Sequence, residues 1–72
     1  MEKITFRQML AECNRELSMR AKVYPERVAS RRMTQATADR QTNVMVALVE
    51  HLTPLADAEK ANEAAAQPYL DL

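Results

Sequence analysis

V-Y-P-E-R-V-A-S-R-R-M, residues 23–33, separates two long helix-forming runs, and its reading decides how the chain folds. A proline pushes the residue before it out of the α region, so Tyr24 predicts a helix boundary. Pro25 suits the first position of a new helical turn, and Glu26 is favourable near that turn's N-terminus. Residues 25–30 therefore read as a short helical turn with Val28 facing inward. A structureless connector of about twelve residues would be uncommon in so small a domain.

On the N-terminal side, I-T-F-R-Q-M (residues 4–9) announces a helix start. Thr5 is the N-cap, Gln8 stands at the capping-box position, and Ile4 and Met9 have the spacing of a hydrophobic staple. Phe6, Leu10, Cys13, Leu17 and Ala21 then draw one apolar stripe, leaving Arg7, Glu12, Arg15, Arg20 and Lys22 to a solvated side. On the C-terminal side Thr34 caps the next helix behind Met33. The apolar face of that helix is Ala38, Met45, Leu48, Val49 and Leu52, widened by Val44 and Val46. Pro54 predicts its end or a kink, with Thr53-Pro54 restarting the chain as an N-cap and first helical residue.

Two helices of about 18 residues, about 27 Å each, joined by a compact connector predict an all-α fold, an antiparallel helical hairpin with a short helical turn in its connector. Residues 1–53 form the hairpin domain. Residues 54–72 form a weakly anchored helical or disordered C-terminal tail, in which L-A-D-A-E-K-A-N-E-A-A-A has good helix propensity but little apolar surface. There is no internal repeat and no heptad run long enough for an extended coiled coil. Chains of 72 residues are marginally stable alone, and one cysteine forms no internal disulfide, so a homodimer with a four-helix arrangement is the expected source of further stability.

Composition excludes several activities. The chain has no glycine, which phosphate-cradling loops, dinucleotide fingerprints and nucleophile elbows need. Three aromatics, Phe6, Tyr24 and Tyr69, are few for a base-stacking platform. The longest apolar run, V-M-V-A-L-V at 44–49, is far below the roughly 20 residues that span a bilayer. Met1 to Leu10 is interrupted by polar and charged residues, against an export signal, so a cytoplasmic setting is expected.

Candidate chemistry is thin. Cys13 reads as a small buried hydrophobe, and His51 as an ordinary histidine in the last turn of the second helix. No third partner makes them a nucleophile and base, so no catalytic, metal or cofactor site is expected, and the chain reads as non-enzymatic. Glu59 and Glu63 are a solvated like-charge pair, and the five methionines read as core filling rather than a binding groove.

Charge is the remaining signal. Net charge is zero, yet residues 15–40 carry seven Lys/Arg against three acidic residues, and residues 41–72 carry Lys60 against five. Arg27, Arg31, Arg32 and Arg40 are the candidate partner-binding residues, a basic patch for a carboxylate-rich protein surface or for phosphates. The bland alternative is that solvated helix faces simply carry charge. Neutral net charge and few aromatics favour a protein partner; the alternative is a nucleic-acid-binding module using the same arginines. P-Y-L-D-L at 68–72 is weighed as a docking motif against an unanchored tail.

R-E-L-S-M-R-A-K-V-Y-P-E-R-V-A-S-R-R-M-T (residues 15–34), with A-D-R-Q at 38–41 and M-V-A-L at 45–48, resembles a group of small helical proteins encoded in bacteriophages and prophages. The M-R-x-x-V-Y-P-x-x-V core carries most of the likeness, which spans roughly residues 15–52. The resemblance implies a viral or prophage origin and a bacterial cytoplasm, and it brings no catalytic residues. Its pattern has glycine where this chain has Arg31, which puts a left-handed helix cap there in question.

Overall fold

The structure, a computed structural model, describes residues 3–65. Two helices, α1 (Phe6–Ala29) and α2 (Gln35–Ala65), pack against each other as a hairpin joined by residues 30–34.

Both N-termini are built by the caps that the sequence signals. Thr5 Oγ1 accepts from the Gln8 N–H at 3.1 Å, and Gln8 Oε1 accepts from the Thr5 N–H at 2.8 Å, completing the capping box. Thr34 Oγ1 accepts from the Thr37 N–H at 3.1 Å and so caps α2.

The proline boundaries differ from expectation. The turn expected at residues 25–30 is helical, but it is continuous with α1, and α2 runs through Pro54 without restarting. Thr53 does not act as an N-cap; its hydroxyl donates back to the Val49 carbonyl at 2.7 Å. Pro25, Pro54 and the residues four before them, Ala21 and Glu50, are all exposed. A helix proline deprives the carbonyl four residues earlier of its donor. At these exposed positions the freed carbonyl is within reach of solvent, which lowers the cost of the missing bond. The tail expected beyond Pro54 is helical to Ala65, with Ala56 buried and Leu55 half-buried. The terminal Q-P-Y-L-D-L lies outside the described residues.

The packing seam also departs from the expected apolar face. On α2 the residues turned toward α1 include Ala38, Thr42, Met45, Val49, Leu52, Ala56 and Glu59, at intervals of 4, 3, 4, 3, 4 and 3. That is a heptad repeat, hidden in the sequence because Thr42 and Glu59 occupy seam positions. On α1, Leu10, Cys13, Leu17, Arg20 and Tyr24 follow the same alternation, while Ala21 is exposed. Leu48, Val44 and Val46 are exposed as well, outside the seam.

The core is thin. Only Ala38, Leu52 and Ala56 are buried among the described residues, and α1 has no fully buried residue. The molecule measures 61 × 22 × 20 Å with a radius of gyration of 17.4 Å. A compact chain of this length would have a radius of about 11 Å. This is a rod with one seam.

Candidate interaction site at the hairpin tip

The tip is organised by the end of α1. The Arg31 N–H donates to the Val28 carbonyl at 3.1 Å, and the Arg32 N–H to the Arg27 carbonyl at 2.9 Å. These are the paired bonds of a Schellman cap, with Arg31 at the left-handed position, φ 62°. The cap questioned at Arg31 is therefore present without glycine. An L-residue there costs about 1 kcal/mol or more, because Cβ crowds the following carbonyl.

Arg27, Arg31 and Arg32 are exposed at this turn. Arg31 and Arg32 line one shallow hollow with Val28, Met33, Thr34 and Gln35. Arg27 and Arg32 line another with Val23, Glu26 and Ser30. Arg40 lines neither; it stands two residues past buried Ala38, about 200° around α2, so it faces away from the seam. The structure thus gathers three of the four candidates and sets Arg40 apart.

The remaining arginines behave differently. Arg20, expected on a solvated side, is a half-buried bridge. Its Nε donates to Glu16 Oε1 at 2.9 Å, its Nη1 to the Gln41 carbonyl at 2.8 Å, and its guanidinium lies 5.7 Å from the Tyr24 ring centroid. Tyr24, expected to break the helix, instead donates its hydroxyl to Gln41 Oε1 at 2.7 Å. Arg15 pairs with Glu12, which lies below its ordinary pKa through that hydrogen bond. Among the described residues, no carboxylate lies within 4.0 Å of Arg27, Arg31, Arg32 or Arg40, although Glu26 shares a hollow with two of them.

At the opposite end of the hairpin, Glu59 corrects the expectation of a solvated pair. Its carboxylate accepts from the Phe6 N–H at 2.9 Å, the Arg7 N–H at 3.2 Å and Arg7 Nε at 3.1 Å. Arg7 also pairs with Glu63. With the Thr5 bonds, every free N–H in the first turn of α1 has a partner. The Phe6 N–H foremost, then the Arg7 groups, hold Glu59 below the ordinary carboxylate pKa against partial desolvation. A like-charge i, i+4 pair gave no hint of this, because its partners lie more than 50 residues away.

Cys13 is half-buried, as its place on the stripe suggests. His51 is exposed in the middle of α2 rather than in its last turn, and no hydrogen bond joins the two. Among the described residues no group of His, Cys, Asp and Glu has metal-site geometry, and no helix is long and apolar enough to cross a membrane. Compared with known proteins, the chain matches no protein family, no curated protein and no solved structure.

Proposed function

We propose that the hairpin is a non-enzymatic accessory protein that binds an acidic surface of another protein through Arg27, Arg31 and Arg32. One observation carries this reading: Arg7, Arg15 and Arg20 all have carboxylate partners, whereas the three tip arginines have none among the described residues and one sits where glycine costs less. An unpaired guanidinium on a rigid cap is suited to bidentate capture of a carboxylate. The resemblance to phage and prophage proteins extends the proposal to a host or phage partner in a bacterial cytoplasm. The thin core extends it to a homodimer.

The test is affinity capture from bacterial lysate with the full chain and with Arg27→Gln/Arg31→Gln/Arg32→Gln, each with and without nuclease. The reading expects a nuclease-resistant protein captured by the native chain and lost with the triple variant. A partner retained equally by both would refute it.

The second reading is a nucleic-acid-binding module, supported by the same unpaired arginines. It expects capture to vanish with nuclease, and affinity for DNA or RNA to fall steeply with salt. The outward setting of Arg40 weighs against a single continuous track that includes it.

A further inference from the structure

Each helix carries a second line of residues beside the seam. On α1 it is Met9, Glu12, Glu16, Met19 and Val23; on α2 it is Gln41, Val44, Leu48, His51 and Leu55, and both are spaced 3, 4, 3, 4. Met9, Glu16 and Val23 directly precede the seam residues Leu10, Leu17 and Tyr24, and Gln41, Leu48 and Leu55 directly precede Thr42, Val49 and Ala56; in two antiparallel helices such matching positions flank the seam on the same side. At the open end Phe6 and Leu55 share a hollow on that side. Met9, Met19, Val44 and Leu48 stand there 38–56% exposed. The opposite side is lined near the tip by Ala21, Pro25 and Asp39 together with the seam residues Arg20, Tyr24 and Thr42, and among the described helical residues its one exposed large apolar residue is Val46.

We propose that this second stripe seats another copy of the chain, packed two-fold and antiparallel so that each tip lies toward the other copy's open end. The proposal rests on the homodimer part of the reading above and adds the face and the orientation. Two observations select this occupant. A helix with two adjacent heptad lines has the pattern of a bundle member contacting two neighbours, and only one line is used inside the hairpin. The chain exposes 5913 Å², whereas a compact protein of its mass exposes about 4,500 Å². The surplus of about 1,400 Å² exceeds the roughly 800 Å² that each partner gives to a standard interface.

Charge sets the orientation. Residues 22–40, around the tip, hold Lys22, Arg27, Arg31, Arg32 and Arg40 against Glu26 and Asp39, while the rest of the described hairpin holds Lys3, Arg7, Arg15, Arg20 and Lys60 against Glu12, Glu16, Glu50, Asp57, Glu59 and Glu63, so a basic tip faces a slightly acidic remainder. Antiparallel packing brings these opposite ends together, and parallel packing stacks like on like. Glu12 and Glu16, the carboxylates inside the stripe, each have their own arginine, so neither enters the interface as a lone charge.

Light scattering on the full chain is expected to give twice 8.2 kDa. Leu48→Glu acts twice by symmetry and is expected to weaken the dimer on the order of a thousandfold, while Val46→Glu on the opposite side leaves it intact. Spin labels on Ser30→Cys in a Cys13→Ser background are expected to lie roughly 35–40 Å apart, the length of α1. Parallel packing would bring them within about 20 Å, twice a helix–helix spacing. These labels sit off the stripe, so they decide the matter even where Leu48→Glu unfolds the chain. Single-chain mass at micromolar concentration overturns the proposal and the homodimer together, leaving the tip reading to its own test. A dimer broken by Val46→Glu but not Leu48→Glu overturns the face alone, and short label distances overturn the orientation.

Discussion

Replacing Arg31 with glycine should stabilise the hairpin although it deletes a charged side chain. Arg31 is exposed, has no carboxylate within salt-bridge distance among the described residues, and holds φ at 62°. Relieving the clash between Cβ and carbonyl returns about 1–2 kcal/mol. Glycine's greater freedom in the unfolded chain takes back roughly 0.5–1 kcal/mol. The expected net gain is therefore about 0–1.5 kcal/mol, centred near 0.75. For a domain of this size the centre corresponds to a Tm rise of roughly 3–6 °C.

The comparison needs two companions. Arg31→Ala keeps Cβ and loses the guanidinium, so it should melt close to the native chain. Arg31→Val adds a β-branch in a left-handed position and should melt below it. Thermal unfolding followed by circular dichroism, at one fixed protein concentration because the Tm of a dimer would depend on concentration, orders the four proteins. If glycine melts at or below alanine, the left-handed cap is not a stability cost. The inference that arginine is kept there for binding then fails with it.

Leu52→Ala should cost about 2–3 kcal/mol, the low end for a buried leucine because a single seam beside water relaxes easily; a loss under about 1 kcal/mol in chemical denaturation would remove Leu52 from the core. For Glu59, a folded pKa below the unfolded one means its stabilisation is present above the ordinary value near 4.5 and is lost as pH falls through the folded pKa. Melting temperatures should hold from neutral pH to about 5.5 and fall below about 4.5, and Glu59→Gln should melt lower at pH 7 with a shallower acid decline. Glu12 has the same sign, so part of the decline should survive; an unchanged decline shows that Glu59 does not hold the start of α1. Pro54→Ala should restore a donor to the Glu50 carbonyl and stabilise by at most about 2 kcal/mol, from roughly 3 in helix propensity less up to about 1 in unfolded-state entropy and less whatever solvent at exposed Glu50 already offsets; destabilisation would show that the seam requires a proline-induced bend.

The features legible in the sequence are those fixed within a few residues. Thr5 with Gln8, and Thr34 with the N–H three residues on, are caps whose partners lie inside one turn. The hairpin follows from two helices and a short connector. Prolines misled because local rules take the missing bond at full cost, whereas Ala21 and Glu50 are exposed here and solvent offsets part of it. The heptad was hidden by chemistry rather than by spacing: Arg20, Tyr24, Thr42 and Glu59 hold seam positions, and Arg20, Tyr24 and Glu59 each bond a residue on the other helix or at its end. Nothing local distinguishes such residues from solvated ones, so Glu59 and Arg20 read as surface until their partners are placed.

The tip and the stripe bear on each other. The two cap bonds fix the backbone under Arg27, Arg31 and Arg32, so less ordering cost opposes binding there than on a loose loop. One tip alone offers three guanidiniums on shallow hollows, a weak grip on an acidic surface. An antiparallel dimer presents two such tips roughly 35–40 Å apart, at the length of α1. Against a partner with two acidic sites, the second contact then forms at a high effective concentration without any new residue. Leu48→Glu should therefore lower apparent affinity for an immobilised partner by about a hundredfold or more, although it lies far along α2 from the arginines. On a sparsely loaded surface, where only one tip engages, the same variant should bind like the native chain. Equal loss at both loadings would mean that the change damaged the tip itself, and no loss at either would mean that each tip acts alone.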